Sequence, residues 1–281
     1  MPTFDTPKPI FATIDLVVGV LRISAGDRTD TVVTVRPSDP THNADVQAAE
    51  LTTVHYASGR LAVKAPRSKA RSFFGRTASV DVTVELPTGS RVEGKAAAAD
   101  VHAEGRVGEV AFTVAAGDIR LDRTGALKLN STAGDVSVAH SVGHTDVSTA
   151  AGEIRIGKID GTAVVRNTTG GISLGAVSGD LRLNTTIGDI AVDRALTTVG
   201  AKTISGSVRI GEVVHGAVRL ETASGELEVG IREGTAAWLD LNSLAGKVRN
   251  SLTSADGPEP TDDTVEVRAR TLSGDIVIRR S

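Results

Sequence analysis

The aliphatic positions of this chain repeat with a nearly fixed spacing. Nine copies of a glycine-led phrase, usually aliphatic at its third and fifth positions, run from GDIRL at Gly117 to GDIVI at Gly274. Their glycines lie 17, 18, 18, 18, 18, 19, 21 and 28 residues apart. Self-similarity at a fixed period is the sequence signature of a solenoid. We therefore predict a stack of coils of about 18 residues each.

A second glycine-led phrase divides each coil into two halves. It lies nine residues upstream of most of the first set, as in GALKL at Gly125 and GDLRL at Gly179. Each half is a turn opened by glycine and then alternating residues, which predicts a strand with one buried face. Parallel crossovers are right-handed almost without exception. The fold class is therefore predicted to be all-β, a right-handed parallel β-solenoid of flattened two-strand coils.

A column of small polar residues shares the inward parity of these aliphatics. Its members are Ser131, Thr149, Asn167, Thr185, Thr203, Thr222, Ser243 and Thr271. A hydroxyl or amide in this position can bond backbone groups that a turn leaves unpaired. We expect these side chains to stack near the turn and to have a structural role.

Residues 1–95 break the period and are predicted to form an N-terminal β-rich cap, continuous with a solenoid region over residues 96–281. The strands expected in the cap are Ile10–Ile23, Thr31–Val35, Thr53–Tyr56, Arg60–Lys64 and Ser79–Leu86, with a short helix over Asn43–Glu50. Glu93–Gly105 is interpreted as a degenerate first coil. At the other end, Arg279 and Arg280 are expected to blunt the final strand edge against aggregation.

Composition limits the function classes. A net charge of −3 gives no general attraction to nucleic acid, and the absence of cysteine excludes disulfides and thiolate metal sites. The first ten residues lack the pattern of a secretory signal, and the longest apolar run, Leu16–Leu21, is too short to span a bilayer. We expect a cytoplasmic protein, with peripheral membrane association left open.

Acidic residues that follow the repeat glycines raise the possibility of calcium binding. They are Asp118, Asp135, Glu153, Asp189, Glu226 and Asp275. Calcium-binding β-rolls need doubled glycines in the turns, but only one repeat turn here has them, at Gly170-Gly171, so turn chemistry is favoured and a cation ladder stays the alternative. The outward strand positions carry no pair of carboxylates expected to lie together, and the histidines are not spaced in the way that metal ligands are. We predict no enzyme, no cofactor and no metal site.

One segment differs from the rest of the chain. KAPRSKARSFFGR, Lys64–Arg76, carries five basic residues, no acidic residue and two adjacent phenylalanines. Such a segment suits an anionic membrane surface or an acidic partner, although a phenylalanine folded back onto the cap is the alternative. The candidate contact residues are Arg67, Lys69, Arg71, Phe73, Phe74 and Arg76. Trp238 is expected to point outward, packed beneath residues 254–264 or exposed to a partner.

The recurring T-x-S-G-D-I-x-I phrase, the capping strands and the closing ARTLSGDIVIRRS resemble a bacterial β-strand-repeat family of unknown function labelled "putative adhesin". The resemblance covers the chain from about residue 10 and implies a role at the cell surface or envelope. It supplies no catalytic residues. We expect a non-catalytic scaffold or interaction protein, associated with the envelope or the inner membrane surface and able to self-associate. A binder or processor of envelope polysaccharide is the alternative.

Overall fold

The computed structural model describes residues 2–66, 77–252 and 263–281. In these residues the fold is all-β apart from one helix, and most strand pairs are parallel. Contacts divide the chain into two compact units, Met1–Ala139 and His140–Ser281. The predicted boundary near residue 95 falls inside a strand and stays a prediction.

Unit 1 contains the strands and the helix that the cap pattern predicts. Its elements are β1 (Thr3–Asp5), β2 (Phe11–Gly26), β3 (Asp30–Pro37), α1 (Asn43–Leu51), β4 (Thr53–Ala57), β5 (Arg60–Lys64), β6 (Val80–Pro87), β7 (Arg91–Arg106), β8 (Val110–Ala116), β9 (Ile119–Thr124) and β10 (Leu127–Ala133). The next strand, β11 (Val136–Val142), runs across the boundary between the units. The five predicted cap strands and the helix are confirmed within a few residues.

The long strand β2 organises unit 1. It pairs in parallel with β7 along one edge, and with β5 and then β6 along the other. The partner changes at Gly19, whose φ is +144° and where an added Cβ would lie 1.8 Å from the carbonyl oxygen of Val80. Only glycine fits that conformation and that close approach. The antiparallel strands β1, β3 and β4 extend the sheet beside β5 and β6.

The predicted degenerate coil at Glu93–Gly105 is one continuous strand without a turn. The first half of β7 pairs with β8 and the second half with β9, so one strand serves both halves of the following coil. The turn glycine Gly117, with φ of +128°, stacks on Ala99, which takes the place of a glycine in β7. An alanine does not readily adopt a positive φ, so the strand continues. Nearby, Gly94 leaves room for the ring of Phe112, which a Cβ would approach to 2.1 Å.

Unit 2 is built from short strands in a regular order. They are β12 (Thr145–Ala151), β13 (Ile154–Asp160), β14 (Ala163–Thr169), β15 (Ile172–Val177), β16 (Leu181–Asn184), β17 (Ile190–Ala195), β18 (Val199–Lys202), β19 (Val208–Val213), β20 (Gly216–Ser224), β21 (Leu227–Ile231), β22 (Ala236–Ala245), β23 (Val248–Asn250), β24 (Thr264–Ser273) and β25 (Ile276–Arg280). Each strand pairs in parallel with a strand of the neighbouring coil, and no element longer than ten residues occurs among them.

Two parallel ladders run through unit 2. Even-numbered strands from β12 to β20 form one ladder, and odd-numbered strands from β13 to β21 form the other. The register advances by 18 residues at Thr145↔Ala163 and Ile154↔Ile172. Aliphatic residues one coil apart therefore stack in columns, as in Val147, Val165 and Leu183, each of which is fully buried. The 18-residue period of the sequence therefore sets the register of both ladders in this unit.

The polar column lies where its parity places it. Thr185, Thr203 and Thr222 are buried and donate their hydroxyls to carbonyls of Gly170, Gly188 and Gly206, at 3.5, 3.2 and 3.0 Å. These carbonyls belong to turn glycines of the preceding coil. Ser131 and Thr149 instead donate to carbonyls of their own turns, those of Ala133 and Ala151, both at 3.4 Å. In each of these cases the side chain bonds a turn carbonyl, as predicted.

The order of the last coils differs from the sequence expectation. The final strands, β24 and β25, insert between β20–β21 and β22–β23, so β22 and β23 form the end of the stack. Arg279 and Arg280 therefore do not blunt a final edge. Arg279 pairs with Glu228 at 2.7 Å, and Arg280 donates to the carbonyls of Arg232 and Thr235, both at 2.9 Å. Arg280 thus secures the connection that carries the chain past the inserted coil.

Candidate functional site

A cleft in unit 1 arises where strand pairing along β2 is interrupted. β2 pairs with β5 as far as Asp15 and with β6 from Gly19 onward. Between these positions Val17 and Val18 have no strand partner on that side among the described residues. Helix α1 lies across this gap, because the chain forms it between β3 and β4 and packs it against β3 and β6. The result is a recess lined by small and aliphatic side chains.

The cleft has a volume of about 310 Å³. From β2 and α1 it is lined by Val17, Val18, Ala44, Gln47, Ala48 and Leu51. The chain on either side of residues 67–76 adds Ala65, Pro66, Thr77, Ala78 and Val80. Leu51, at the rim, is 64% exposed. An apolar recess of this size can receive aliphatic or aromatic groups, with Gln47 and Thr77 as its polar side chains.

Asp45 fixes the two elements that border the cleft. Its side chain is fully buried, and Oδ1 accepts hydrogen bonds from the amide of Ser79 at 3.0 Å and from the ring of His42 at 2.8 Å. Oδ2 accepts from the amide of Asp39 at 3.2 Å. Burial alone raises the pKa of Asp45, but these hydrogen bonds outweigh it and hold the pKa below its usual range. One ionised carboxylate therefore joins the start of α1 to the entry of β6.

The cleft was not foreseen from the sequence, although a signal for it exists. Ala44, Ala48 and Leu51 are spaced by four and three residues, so they share one face of α1. All three line the cleft. The gap in β2 had no such signal, because its residues continue the alternating pattern of the strand.

The predicted contact residues Arg67, Lys69, Arg71, Phe73, Phe74 and Arg76 lie outside the described residues. The segment that contains them leaves and re-enters the described structure at Pro66 and Thr77, and both of these residues line the cleft. Lys64, the first basic residue of the segment, is exposed at the end of β5. The most basic and aromatic stretch of the sequence therefore begins and ends at the apolar cleft.

The acidic residues of the turns bond to neighbouring turns. Oδ1 of Asp118 accepts the amide of Asp135 at 3.0 Å, and Oδ1 of Asp189 accepts the amide of Ser207 at 2.7 Å. Asp275 accepts the amide of Lys247 at 2.9 Å in the same way. These bonds support turn chemistry as the role of the carboxylates. Within residues 2–66, 77–252 and 263–281, no group of three or more histidines or acidic residues is placed to hold a metal ion.

The outward faces of unit 2 carry charges paired between adjacent coils. Arg166 bonds Asp146 at 3.0 Å, and Arg194 bonds Glu212 at 2.9 Å. Such exposed pairs contribute little stability, about 0–1 kcal/mol each. Several of the outward cations in the described part of unit 2 are therefore neutralised by a neighbouring carboxylate.

Trp238 points outward, as its parity predicts, and its side chain is 56% exposed. The guanidinium of Arg268 lies over the indole, 5.7 Å from the ring centroid. The ring was expected to pack beneath residues 254–264, and all of these except residues 263 and 264 lie outside the described residues. That expectation stays a prediction.

A family model and several solved structures match nearly the whole length of the chain. The family model described as Toastrack DUF4097 matches residues 15–279. Among solved structures, a "putative adhesin" from Bacteroides fragilis is 15% identical, with 99% of this chain and 96% of that chain covered and a TM-score of 0.33. A "putative adhesin" from Parabacteroides distasonis is 11% identical, with coverage of 98% and 94% and a TM-score of 0.33.

A third structure, a "putative lipid binding protein" from Parabacteroides distasonis, is 12% identical, with coverage of 100% and 96% and a TM-score of 0.30. Likenesses at these scores carry no argument about function. No curated protein matches the chain. In the described part of the chain, no helix has the length and apolar character that crossing a membrane would require.

Proposed function

The chain belongs to the Toastrack family DUF4097, and from this premise we propose that it is a non-catalytic interaction protein that docks on an anionic membrane surface through unit 1. In this proposal the basic segment Lys64–Arg76 supplies the attraction to acidic headgroups, and the apolar cleft beside α1 receives hydrophobic groups from the membrane interface. Location at the inner face of the membrane, and the right-handed sense of the flattened coils, are parts of the same proposal.

One observation carries the proposal. The apolar cleft is bounded by Pro66 and Thr77, the two residues that flank a segment of ten residues with four cations and two adjacent phenylalanines. Peripheral binding generally needs two contributions, since hydrophobic insertion and electrostatic attraction are each weak alone. Here the cationic segment is joined directly in the chain to two residues that line an apolar recess. On the described outward faces of unit 2, cations such as Arg166 and Arg194 are instead paired with carboxylates of adjacent coils.

The experiment compares sedimentation with vesicles of phosphatidylcholine alone and with 30 mol% phosphatidylserine. We expect wild-type protein to bind only the anionic vesicles, with affinity falling as salt is raised. Each basic residue near such a surface contributes about 1 kcal/mol, so Arg67→Glu/Lys69→Glu/Arg71→Glu should weaken binding at least ~100-fold. The matched control, Lys128→Glu/Arg182→Glu/Arg219→Glu, reverses three exposed cations on the coil faces and should change it little.

A second pair of variants tests the apolar contribution. Phe73→Ser/Phe74→Ser and Leu51→Glu should each weaken vesicle binding about tenfold or more, because they remove hydrophobic contacts at the segment and at the rim of the cleft. Asn43→Glu adds the same charge to α1 away from the cleft and is the control for Leu51→Glu. Equal binding to neutral and anionic vesicles, or unchanged binding in all these variants, would reject the proposal. Selective binding to envelope polysaccharide instead would favour the alternative function.

A further inference from the structure

We propose that strand β22 pairs antiparallel with β22 of a second copy of this chain, making a two-fold dimer at the end of unit 2. Among the described residues, β22 pairs with β24 along one edge and with no strand along the other, and β23 likewise pairs only with β25. The end coil therefore presents two adjacent unpaired strand edges. Edges of this kind are templates for pairing with another chain.

Burial shows that the interior of the solenoid is open at this end. In one column Leu227 and Ile276 are fully buried, whereas Val248, stacked on Ile276, is 47% exposed. In the other ladder Val267 and Ala269 are fully buried, whereas their partners in β22, Leu239 and Leu241, are only half-buried. The columns lack one more layer of side chains at this end.

A second copy of the same coil suits this opening better than an unrelated strand. The opening is two strands wide, so a single added strand covers only one of the two ladders. We place a two-fold axis perpendicular to the stacking direction, through the middle of β22. This axis brings the end coils of two copies together, so each coil covers the open core of the other. Closed, self-complementary contacts of this kind are the commonest form of homo-oligomer.

The side chains of β22 select one register for this pairing. Opposed residues of an antiparallel pair have side chains on the same face, so the axis must pass through a residue of β22. With Leu241 on the axis, Asp240 faces the partner's Asn242 and Trp238 faces the partner's Leu244. Trp238 and Leu244 are 56% and 80% exposed, so the pairing covers the two most exposed apolar side chains of the strand. With Asp240 on the axis, two aspartates would face each other, which is unfavourable.

The edge also lacks the usual protection. Natural edge strands are blunted by lysine, proline or inward charges, but AAWLDLNSLA, Ala236–Ala245, contains no basic residue and no proline. Its one charge, Asp240, lies 3.6 Å from Arg270 of the neighbouring strand β24. The strand is therefore close to neutral where a second copy would approach it.

Oxidative cross-linking provides the first test, because the natural chain contains no cysteine. In Leu241→Cys the two thiols lie at the axis, opposite each other, where a disulfide can form. In the control Leu239→Cys the two thiols are four residues apart along the strands, about 13 Å, which is too far for a disulfide. We expect a covalent dimer for Leu241→Cys and at least tenfold less for Leu239→Cys.

Light scattering after size exclusion gives a second test that needs no cysteine. Wild-type protein should be dimeric, and Trp238→Lys/Leu244→Lys should raise the dissociation constant at least tenfold. The control Ile187→Lys/Ile204→Lys changes two residues that are each 55% exposed and lie in coils away from the edge, so it should leave the dimer intact.

Two results would overturn the proposal. One is a wild-type protein that stays monomeric up to 100 μM, and the other is equal cross-linking of the two cysteine variants. If the protein is monomeric and iodide does not quench Trp238, another part of the chain covers β22. Each result is independent of vesicle binding, which concerns unit 1.

Discussion

At the scale of single residues, Asp45 is a fully buried carboxylate in unit 1. Its buried carboxylate accepts the amides of Ser79 and Asp39 and the ring of His42. Replacement by asparagine removes the charge and replaces one accepting oxygen by an NH₂ group. That group is itself a donor, so it cannot accept the hydrogen bond that the oxygen received. Because unsatisfied buried groups cost about 1–3 kcal/mol each, Asp45→Asn should lower the free energy of unfolding at pH 7 by about 3 kcal/mol.

The same residue gives a pH dependence whose sign follows from its pKa. Because hydrogen bonds lower the pKa of Asp45 in the folded protein, its ionised form stabilises the fold above the unfolded pKa of about 3.9. That contribution is lost as pH falls through the lower folded pKa. The difference between wild type and Asp45→Asn should therefore shrink between pH 5 and pH 2.5 in urea titrations. A difference in stability that stays constant over this pH range would contradict the prediction. The difference between the two proteins is used because Asp30 and Asp160 also have lowered pKa values, and their contributions cancel in it.

At the scale of elements, the turns of unit 2 depend on the polar column. The Thr203 hydroxyl donates to the carbonyl of Gly188 at 3.2 Å, and the side chain is 2% exposed. Thr203→Val keeps the volume but removes the bond, so it should cost about 1–2 kcal/mol. Thr168→Val, at an exposed position of an equivalent turn, should change stability by less than about 0.5 kcal/mol. Urea titration of both variants checks the comparison, and equal losses would mean that the column acts through packing alone.

How far the sequence predicts each element depends on whether the signal is local. The columns through Val147 and Ile154 follow from the period, because phrases with the same glycine and aliphatic positions in successive coils bury those positions in only one register. The single strand β7 forms because Ala99 occupies the position at which later coils have a turn glycine. The interpretation of Glu93–Gly105 as a degenerate coil did not take this difference into account. The cleft beside α1 needs a break in the pairing of β2, which is a property of the sheet and leaves no mark in the alternating pattern.

At the scale of the molecule, the place of the last coil was mispredicted, although its physical reason is in the sequence. The phrase GKVRN has Asn250 where Ile278 stands in GDIVI, and these two residues are register partners in β23 and β25. Ile278 is fully buried, whereas Asn250 is exposed at the end of the stack. The coil with the complete aliphatic set therefore occupies the inner position, and the poorer coil occupies the end. From chain order alone, β24 and β25 were expected at the end of the stack and β22 and β23 inside it.

This inserted order makes a prediction for a chain that stops at residue 263. Were the coils stacked in chain order, removing β24 and β25 would expose one new surface and leave β22 paired as before. In the observed order β22 and β23 pair only with the removed strands among the described residues, so the truncation leaves them without a ladder. Hydrogen exchange should then show loss of amide protection over Ala236–Ala245, while β16 and β17 stay protected.

The control for this truncation is Arg280→Ala, which removes two hydrogen bonds to the β21–β22 connection but keeps every strand. It should preserve most of the amide protection of β22. Retained protection of β22 in the truncated chain would mean that β22 can pair directly with β20, so that the position of the last coil is a preference between two stackings and not a requirement of the fold.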